Sequence, residues 1–196
     1  MRVSRAKAAE NRELIIDVAA KLFRERGFDG IGVADLMKSA GLTHGGFYGN
    51  FASKEALMAE ACTRALEQSL EAMQKTVDGS RENALSAIAA AYLSPKHRDR
   101  PGEGCAIAAL GAEAARHDSA VRGAFTQGVR SMVDELTVQL PGKSKQAKRE
   151  RVLAILASMV GALVLSRAVD DAELSDEVLQ SVLASINHSG STSTKR

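Results

Sequence analysis

Four histidines, His44, His97, His117 and His188, and two cysteines, Cys62 and Cys105, are the side chains of this 196-residue sequence best suited to metal ligation or nucleophilic chemistry. None stands at a ligand spacing. The thiols lie 43 positions apart, no HExxH pair occurs, and there is neither a Gly-rich phosphate loop nor a Gly-x-Ser-x-Gly elbow. The reading is therefore of a protein that is not an enzyme, with no metal, no cofactor and no catalytic residue.

A denser signal runs from Thr43 to Lys54. Thr43, His44, Tyr48 and Asn50 offer hydroxyl, imidazole, phenol and amide groups, the kinds that bond phosphates and base edges. Gly45, Gly46 and Gly49 lie between them and let backbone come close to a partner. Lys54 sits where a helix begins, so its ammonium stands beside N–H groups that also attract phosphate. The chemistry on offer is hydrogen bonding to a nucleic acid.

The elements that must hold these groups are helical. Leu14, Ile15, Val18, Ala19, Leu22 and Phe23 line one face of a first helix, which Gly27 ends in a left-handed cap. Val33, Leu36, Met37 and Ala40 repeat the pattern over barely two turns before Gly41 stops it. Thr43 is placed as the N-cap of a very short third helix that turns Phe47 and Phe51 inward, with Gly45 and Gly49 opposite Phe47. Helix, tight turn and second short helix make a helix-turn-helix pattern, whose second helix enters the major groove. Ser53 caps the next helix, with Glu55 in its first turn, and that helix runs to the Asp78-Gly79-Ser80 turn.

The wording from Leu42 to Leu57, with Phe47-Tyr48 after small residues and then Phe51 and Ser53-Lys54-Glu55, closely resembles the DNA-binding signature of the TetR family of bacterial transcriptional regulators. Gly27-Phe28-Asp29-Gly30 and Leu36 to Gly41 fall where that family places the exit of helix one and helix two. The resemblance implies an N-terminal DNA-binding head, a C-terminal effector-binding bundle and a homodimer. By position, Tyr48 falls on a tyrosine that contacts backbone or bases and Lys54 on a lysine that contacts phosphate. Two positions depart from the pattern: Gly32 stands where a Thr is frequent before helix two, and Asn50 where a His or Tyr is frequent. Three glycines in so short a helix cost about 1 kcal/mol each relative to Ala, which suggests close backbone approach to DNA or a helix that orders only on DNA.

The expected organisation is all-α with about nine helices: a DNA-binding head over 1–53, an effector-binding and dimerisation bundle over 54–188, and a disordered Ser/Thr-rich tail over 189–196. Ser94 to Glu103 reads as an exposed loop. After it comes a helix crowded with Ala and Gly, leaving space that Met73, Tyr92, Phe125 and Met132 could line, with Cys105 at the helix start. The family resemblance implies that this space takes a small, largely apolar effector. The helix over roughly 145–169 is apolar nearly all round from Val152 to Leu165 and must bury both faces. Leu156, Val160 and Leu163, with Val182 and Ile186 from the last helix, are the expected two-fold interface.

Composition agrees. With 45% apolar and 26% charged residues the chain is neither disordered nor collagen-like, and 4% aromatics without Trp argue against a carbohydrate-binding or aromatic-cage module. Nine Lys/Arg face six Asp/Glu up to Lys54, against 17 facing 18 beyond it. The excess collects in Arg2, Arg5, Lys7 and Arg12, an arm compatible with an anionic partner. Two thiols, no apolar leader and no apolar run near the ~20 residues of a spanning helix point to a reduced, soluble, cytoplasmic protein. The functional expectation is a ligand-responsive regulator, a repressor released from a pseudo-palindromic operator by a small molecule. The alternative is a DNA-organising or protein-recruiting member of the same fold without an inducer.

Overall fold

The computed structural model describes residues 5–80 and 83–191, the last three by backbone alone, and every regular element among them is helical. In chain order these are α1 (Arg5–Arg26), α2 (Val33–Ser39), α3 (Lys54–Gly79), α4 (Ala84–Tyr92), α5 (Pro95–Arg98), α6 (Ala106–Ala114), α7 (Ser119–Gln139), α8 (Lys145–Ala168) and α9 (Ala172–Ser191). Single 3-10 turns occupy His44–Gly46 and Pro101–Glu103. The all-α class is thus as expected. Two details of the expectation change. The segment 94–103 is not a plain exposed loop: Ser94 caps α5 by accepting from the His97 N–H at 3.2 Å, Pro95 takes the first helical position, and Gly102 is buried. The tail expected from 189 is helical to Ser191, and 192–196 lie outside the described residues.

Contacts divide the chain into two compact units. The first joins the chain up to Gln68 with Pro101–Gly128; the second joins Ser69–Arg100 with the chain from Val129 onward. The expected head, 1–53, lies wholly in the first unit, which adds the start of α3, all of α6 and the start of α7.

In the first unit Ile15, Phe23, Phe28, Leu36, Met37, Phe47, Leu57 and Leu110 are fully enclosed. Phe23 and Phe28 meet edge to face at 5.5 Å between ring centres. Arg24 is buried among them, and burial draws its pKa down. A buried guanidinium survives only when its donors are satisfied. Arg24 bonds the carbonyls of Ala20 (2.9 Å) and Gly104 (2.9 Å) and the side-chain oxygen of Gln68 (2.8 Å). At the surface Arg64 of α3 pairs with Glu13 and Asp17 of α1.

The second unit is built on the packing of α8 against α9 and α4 against α9. Met159, Leu163, Leu136, Val133 and Val152 are its most enclosed side chains. Arg98 of α5 pairs with Asp176 of α9 at 2.6 Å, and Arg167 of α8 donates to the carbonyls of His97 (2.8 Å) and Arg98 (2.9 Å). By length and composition α8 is apolar enough to cross a membrane, but Val152, Ile155, Leu156, Met159, Ala162 and Leu163 bury one side of it in this unit.

Candidate nucleic-acid interface

The first two helices of the head end differently from each other, both on a glycine. Gly41 (φ +70°) closes α2: its own N–H bonds the Lys38 carbonyl at 3.0 Å and the Leu42 N–H bonds the Met37 carbonyl at 2.9 Å. This double closure is a Schellman motif. Gly27 (φ +75°) closes α1 with one bond, its N–H to the Phe23 carbonyl at 2.8 Å. Both left-handed caps are where the sequence places them.

The recognition segment differs from expectation. Residues 43–51 form no α-helix. Gly46 N–H bonds the Thr43 carbonyl (3.0 Å), Phe47 N–H the His44 carbonyl (3.1 Å), and Asn50 N–H the Phe47 carbonyl (2.9 Å), all short 3-10-type links. Only Phe51 N–H to the Phe47 carbonyl (3.0 Å) has α spacing. Three glycines in seven residues explain this, since each loses about 1 kcal/mol against Ala in a helix interior. Thr43 does occupy the N-cap position in extended conformation, but its hydroxyl makes no capping bond. The capping role expected of it is corrected; its exposed hydroxyl has no such duty.

What holds the segment is Phe47. Its ring is fully buried, 5.6 Å from Phe51 and 5.2 Å edge to face from Tyr48. Tyr48 itself is 68% exposed, and His44 stands edge to face with it at 6.1 Å. Thr43, His44, Gly45, Tyr48 and Gly49 form an exposed polar and aromatic surface over that anchor. Gly46 and Asn50 are half-buried, and the Asn50 amide donates to the Gly46 carbonyl at 2.7 Å. One of its two N–H donors is thereby committed inside the turn, leaving its oxygen and second N–H for other partners.

Lys54 opens α3. The Ser53 hydroxyl accepts from the Ala56 N–H at 3.2 Å, the expected cap. Its own backbone N–H and the Ser53 hydroxyl hold the Glu55 carboxyl below its usual range. The Lys54 ammonium donates to the Phe28 carbonyl at 2.6 Å, a tie that sequence reasoning did not foresee. An ammonium has three donors, so two remain for a phosphate. Of the basic arm, Arg2 lies outside the described residues. Lys7 pairs with Glu10 at 3.0 Å; Arg12 pairs with Glu60 at 2.6 Å and stacks over Phe51. Those two arginine and lysine charges are partly neutralised by the protein, so the arm is less of an anion site than its sequence suggests.

The five residues expected around an effector divide between the units: Cys105 and Phe125 in the first, Met73, Tyr92 and Met132 in the second. All but the half-buried Tyr92 are buried, and Tyr92 packs edge to face with His97 at 4.6 Å. Cys105 stands at the N-cap of α6, while burial pushes the Cys62 thiol up to about 12. The residues expected at a two-fold interface differ in how far they are open within the chain. Leu156, Leu163 and Ile186 are buried inside the protomer, and Val160 and Val182 are half-buried. The apolar side chains that α8 and α9 leave open are Leu153, Val164, Leu165 and Leu174.

Residues 15–61 match the family described as "Bacterial regulatory proteins, tetR family". The span covers most of α1, all of α2, the recognition turn and the first turns of α3. The chain is 28% identical to the HTH-type transcriptional repressor NemR of Escherichia coli over 134 residues, 67% of each chain. It is 30% identical to the A-factor receptor protein of Streptomyces griseus over 86 residues, 41% of this chain and 31% of that one. The solved structure of reduced E. coli NemR superposes with a TM-score of 0.75, covering 91% of this chain and 97% of that one at 22% identity, which speaks for the fold. Fold, buried aromatic anchor and matching sequence converge on one resemblance: residues 15–61 match the TetR family, and over two thirds of its length the chain is similar to a transcriptional repressor of Escherichia coli.

Proposed function

We propose that the protein is a ligand-responsive repressor that binds a pseudo-palindromic operator as a homodimer and leaves it when a small, largely apolar molecule binds. The observation that carries the DNA contact is the exposed turn with Thr43, His44 and Tyr48 above the buried Phe47, next to the Lys54 ammonium at the start of α3. In this reading Thr43 and Lys54 hold phosphates, while His44, Tyr48 and Asn50 reach base edges and Gly45, Gly46 and Gly49 admit the DNA backbone.

The open row of Leu153, Val164, Leu165 and Leu174 supports a two-fold contact through α8 and α9. Two heads on one duplex then read half-sites about 34–36 Å apart or a multiple of that. The names of the relatives, a repressor and a receptor, support repression and an effector. Met73, Tyr92 and Met132, all in the second unit, are the residues proposed to line the effector's site, and the buried thiols of Cys62 and Cys105 support a reducing cytoplasm.

Binding selection from a random duplex library, followed by gel shift on the selected site with and without a panel of apolar small molecules, tests the reading. A palindromic consensus released by one class of compound supports it. A complex that nothing releases supports the DNA-organising alternative, and a monomer bound to a single half-site overturns the dimer.

A further inference from the structure

Phe28 is held at both polar ends of its backbone. Its N–H donates to Glu113 Oε2 at 2.8 Å, across 85 residues of sequence, and its carbonyl accepts from Lys54 Nζ at 2.6 Å. The first bond follows from how α1 ends. A Schellman closure, as at Gly41, would use the N–H after the glycine. At Gly27 only the glycine's own N–H turns back into the helix, so the Phe28 N–H is left for another acceptor. Glu113, near the end of α6, supplies it. The fit at Gly27 is tight: a Cβ there would lie 2.7 Å from Glu113 Oε1. The ring leaves no slack either, being fully buried and edge to face with Phe23 at 5.5 Å and with His117, beyond α6, at 4.8 Å.

We infer that Glu113 is a positioning residue for DNA binding: by holding the Phe28 N–H it fixes the carbonyl on which the Lys54 ammonium rests, and so aims that ammonium at the DNA backbone. The inference rests on the proposed phosphate contact of Lys54. Without Glu113 the Phe28 N–H loses its acceptor, the peptide planes on either side of the anchored ring can tilt, and the lysine loses its fixed seat. The sign of the effect separates this from simple electrostatics. Deleting a carboxylate makes a DNA-binding protein more attractive to a polyanion. Positioning predicts weaker binding instead.

The test uses the full chain and a fluorescein-labelled random-sequence duplex of about 30 base pairs, near three helical turns, since a phosphate contact needs no particular sequence. Affinity is read by anisotropy over a salt series for wild type, Glu113→Ala, Lys54→Ala and the double variant. Glu113→Ala should weaken binding about three- to tenfold, the range of an ordinary hydrogen bond, since the ammonium is misplaced rather than removed, and flatten the salt dependence toward that of Lys54→Ala. In the Lys54→Ala background the same change should have no further effect. Glu113→Gln, which keeps an acceptor of the same reach, should bind like wild type; Glu113→Asp, which keeps the charge but is a methylene shorter, should behave like Ala. These two also serve if Glu113→Ala folds poorly. Equal weakening by Glu113→Ala in both backgrounds, or tighter binding, overturns the positioning role. An unchanged affinity and slope for Lys54→Ala alone overturns the phosphate contact itself, and the inference with it.

Discussion

Replacing Gly45 and Gly49 by Ala, singly and together, separates what the fold needs from what DNA needs. A Cβ on Gly45 would meet no atom within 4 Å, and one on Gly49 only the Gly46 carbonyl oxygen at 3.6 Å, an ordinary contact. Neither glycine has positive φ. The free protein should therefore accept both methyls and gain from them, because alanine has fewer unfolded conformations to lose. That gain is about 0.4–1 kcal/mol per site, or a rise in melting temperature of about 2–8 °C for the pair in a chain of this size. On DNA the sign reverses if the backbone at these positions lies against the duplex. A methyl forced into a packed contact costs about 1–3 kcal/mol; with two heads on one operator even the lower figure, about 2 kcal/mol, is roughly a thirtyfold loss of affinity. Calorimetry and anisotropy titration on the same preparations read the two effects. Higher melting temperature with weakened binding is the expected pair. If the double variant binds as tightly as wild type, close approach is not why residues 45 and 49 are glycine, and a segment that orders on DNA is the better account.

Three further outcomes follow from named contacts. Lys54→Ala should weaken binding to specific and random duplexes alike and flatten the salt dependence by about 0.9 per subunit, so that wild type loses about twelvefold more affinity than the variant between ~50 and ~200 mM salt; loss of selectivity with an unchanged slope would contradict the phosphate role. Leu165→Glu puts a carboxylate on the most exposed of the large apolar side chains of α8, 57% open, and should raise the dissociation constant of the proposed dimer by at least about tenfold in sedimentation equilibrium, since an unpaired buried charge is costly. Burial draws the His97 pKa below its ordinary 6.5, with the Arg167 charge acting the same way against a hydrogen bond to the Tyr92 carbonyl. The unfolded chain then binds the extra proton first, so stability holds above about pH 6.5 and falls as pH drops below it. His97→Gln should flatten that acid limb in urea unfolding, and an unchanged limb would show that other groups set it.

The features that were legible in the sequence are those encoded within a few residues. Gly27 and Gly41 mark helix ends because only glycine takes positive φ cheaply, and Ser53 caps α3 through a bond three residues away. Three matters were not legible. The recognition segment carries apolar residues at helical spacing, but periodicity reports which side faces inward and says little about whether the backbone can sustain the helix. α8 is apolar nearly all round, so its pattern has no polar side to tell protomer from partner. Leu156 and Leu163 are indistinguishable by pattern from Val164 and Leu165, yet the fold buries the first two and leaves the other two exposed. The grip of Glu113 on Phe28 joins positions 85 apart, and nothing local to either residue distinguishes it from an ordinary surface glutamate and an ordinary core phenylalanine.

The recognition turn then presents a division of labour. Several polar groups of the first unit are spent inside the protein: Arg24 on three acceptors, Arg64 on Glu13 and Asp17, Arg12 on Glu60. At the turn the fold commits one buried ring, Phe47, and one amide bond, Asn50 to Gly46. The Thr43 hydroxyl makes no cap and Tyr48 stands open to solvent. A group already bonded within its own protein must break that bond to bind DNA, and an exchange of this kind gains little. Thr43 and Tyr48 do not carry that cost. A single deep anchor with polar groups left above it fixes where the surface is while leaving its hydrogen-bonding capacity for the duplex. Phe47→Leu should accordingly impair operator binding more than the loss of any one exposed side chain, because it shifts every contact together.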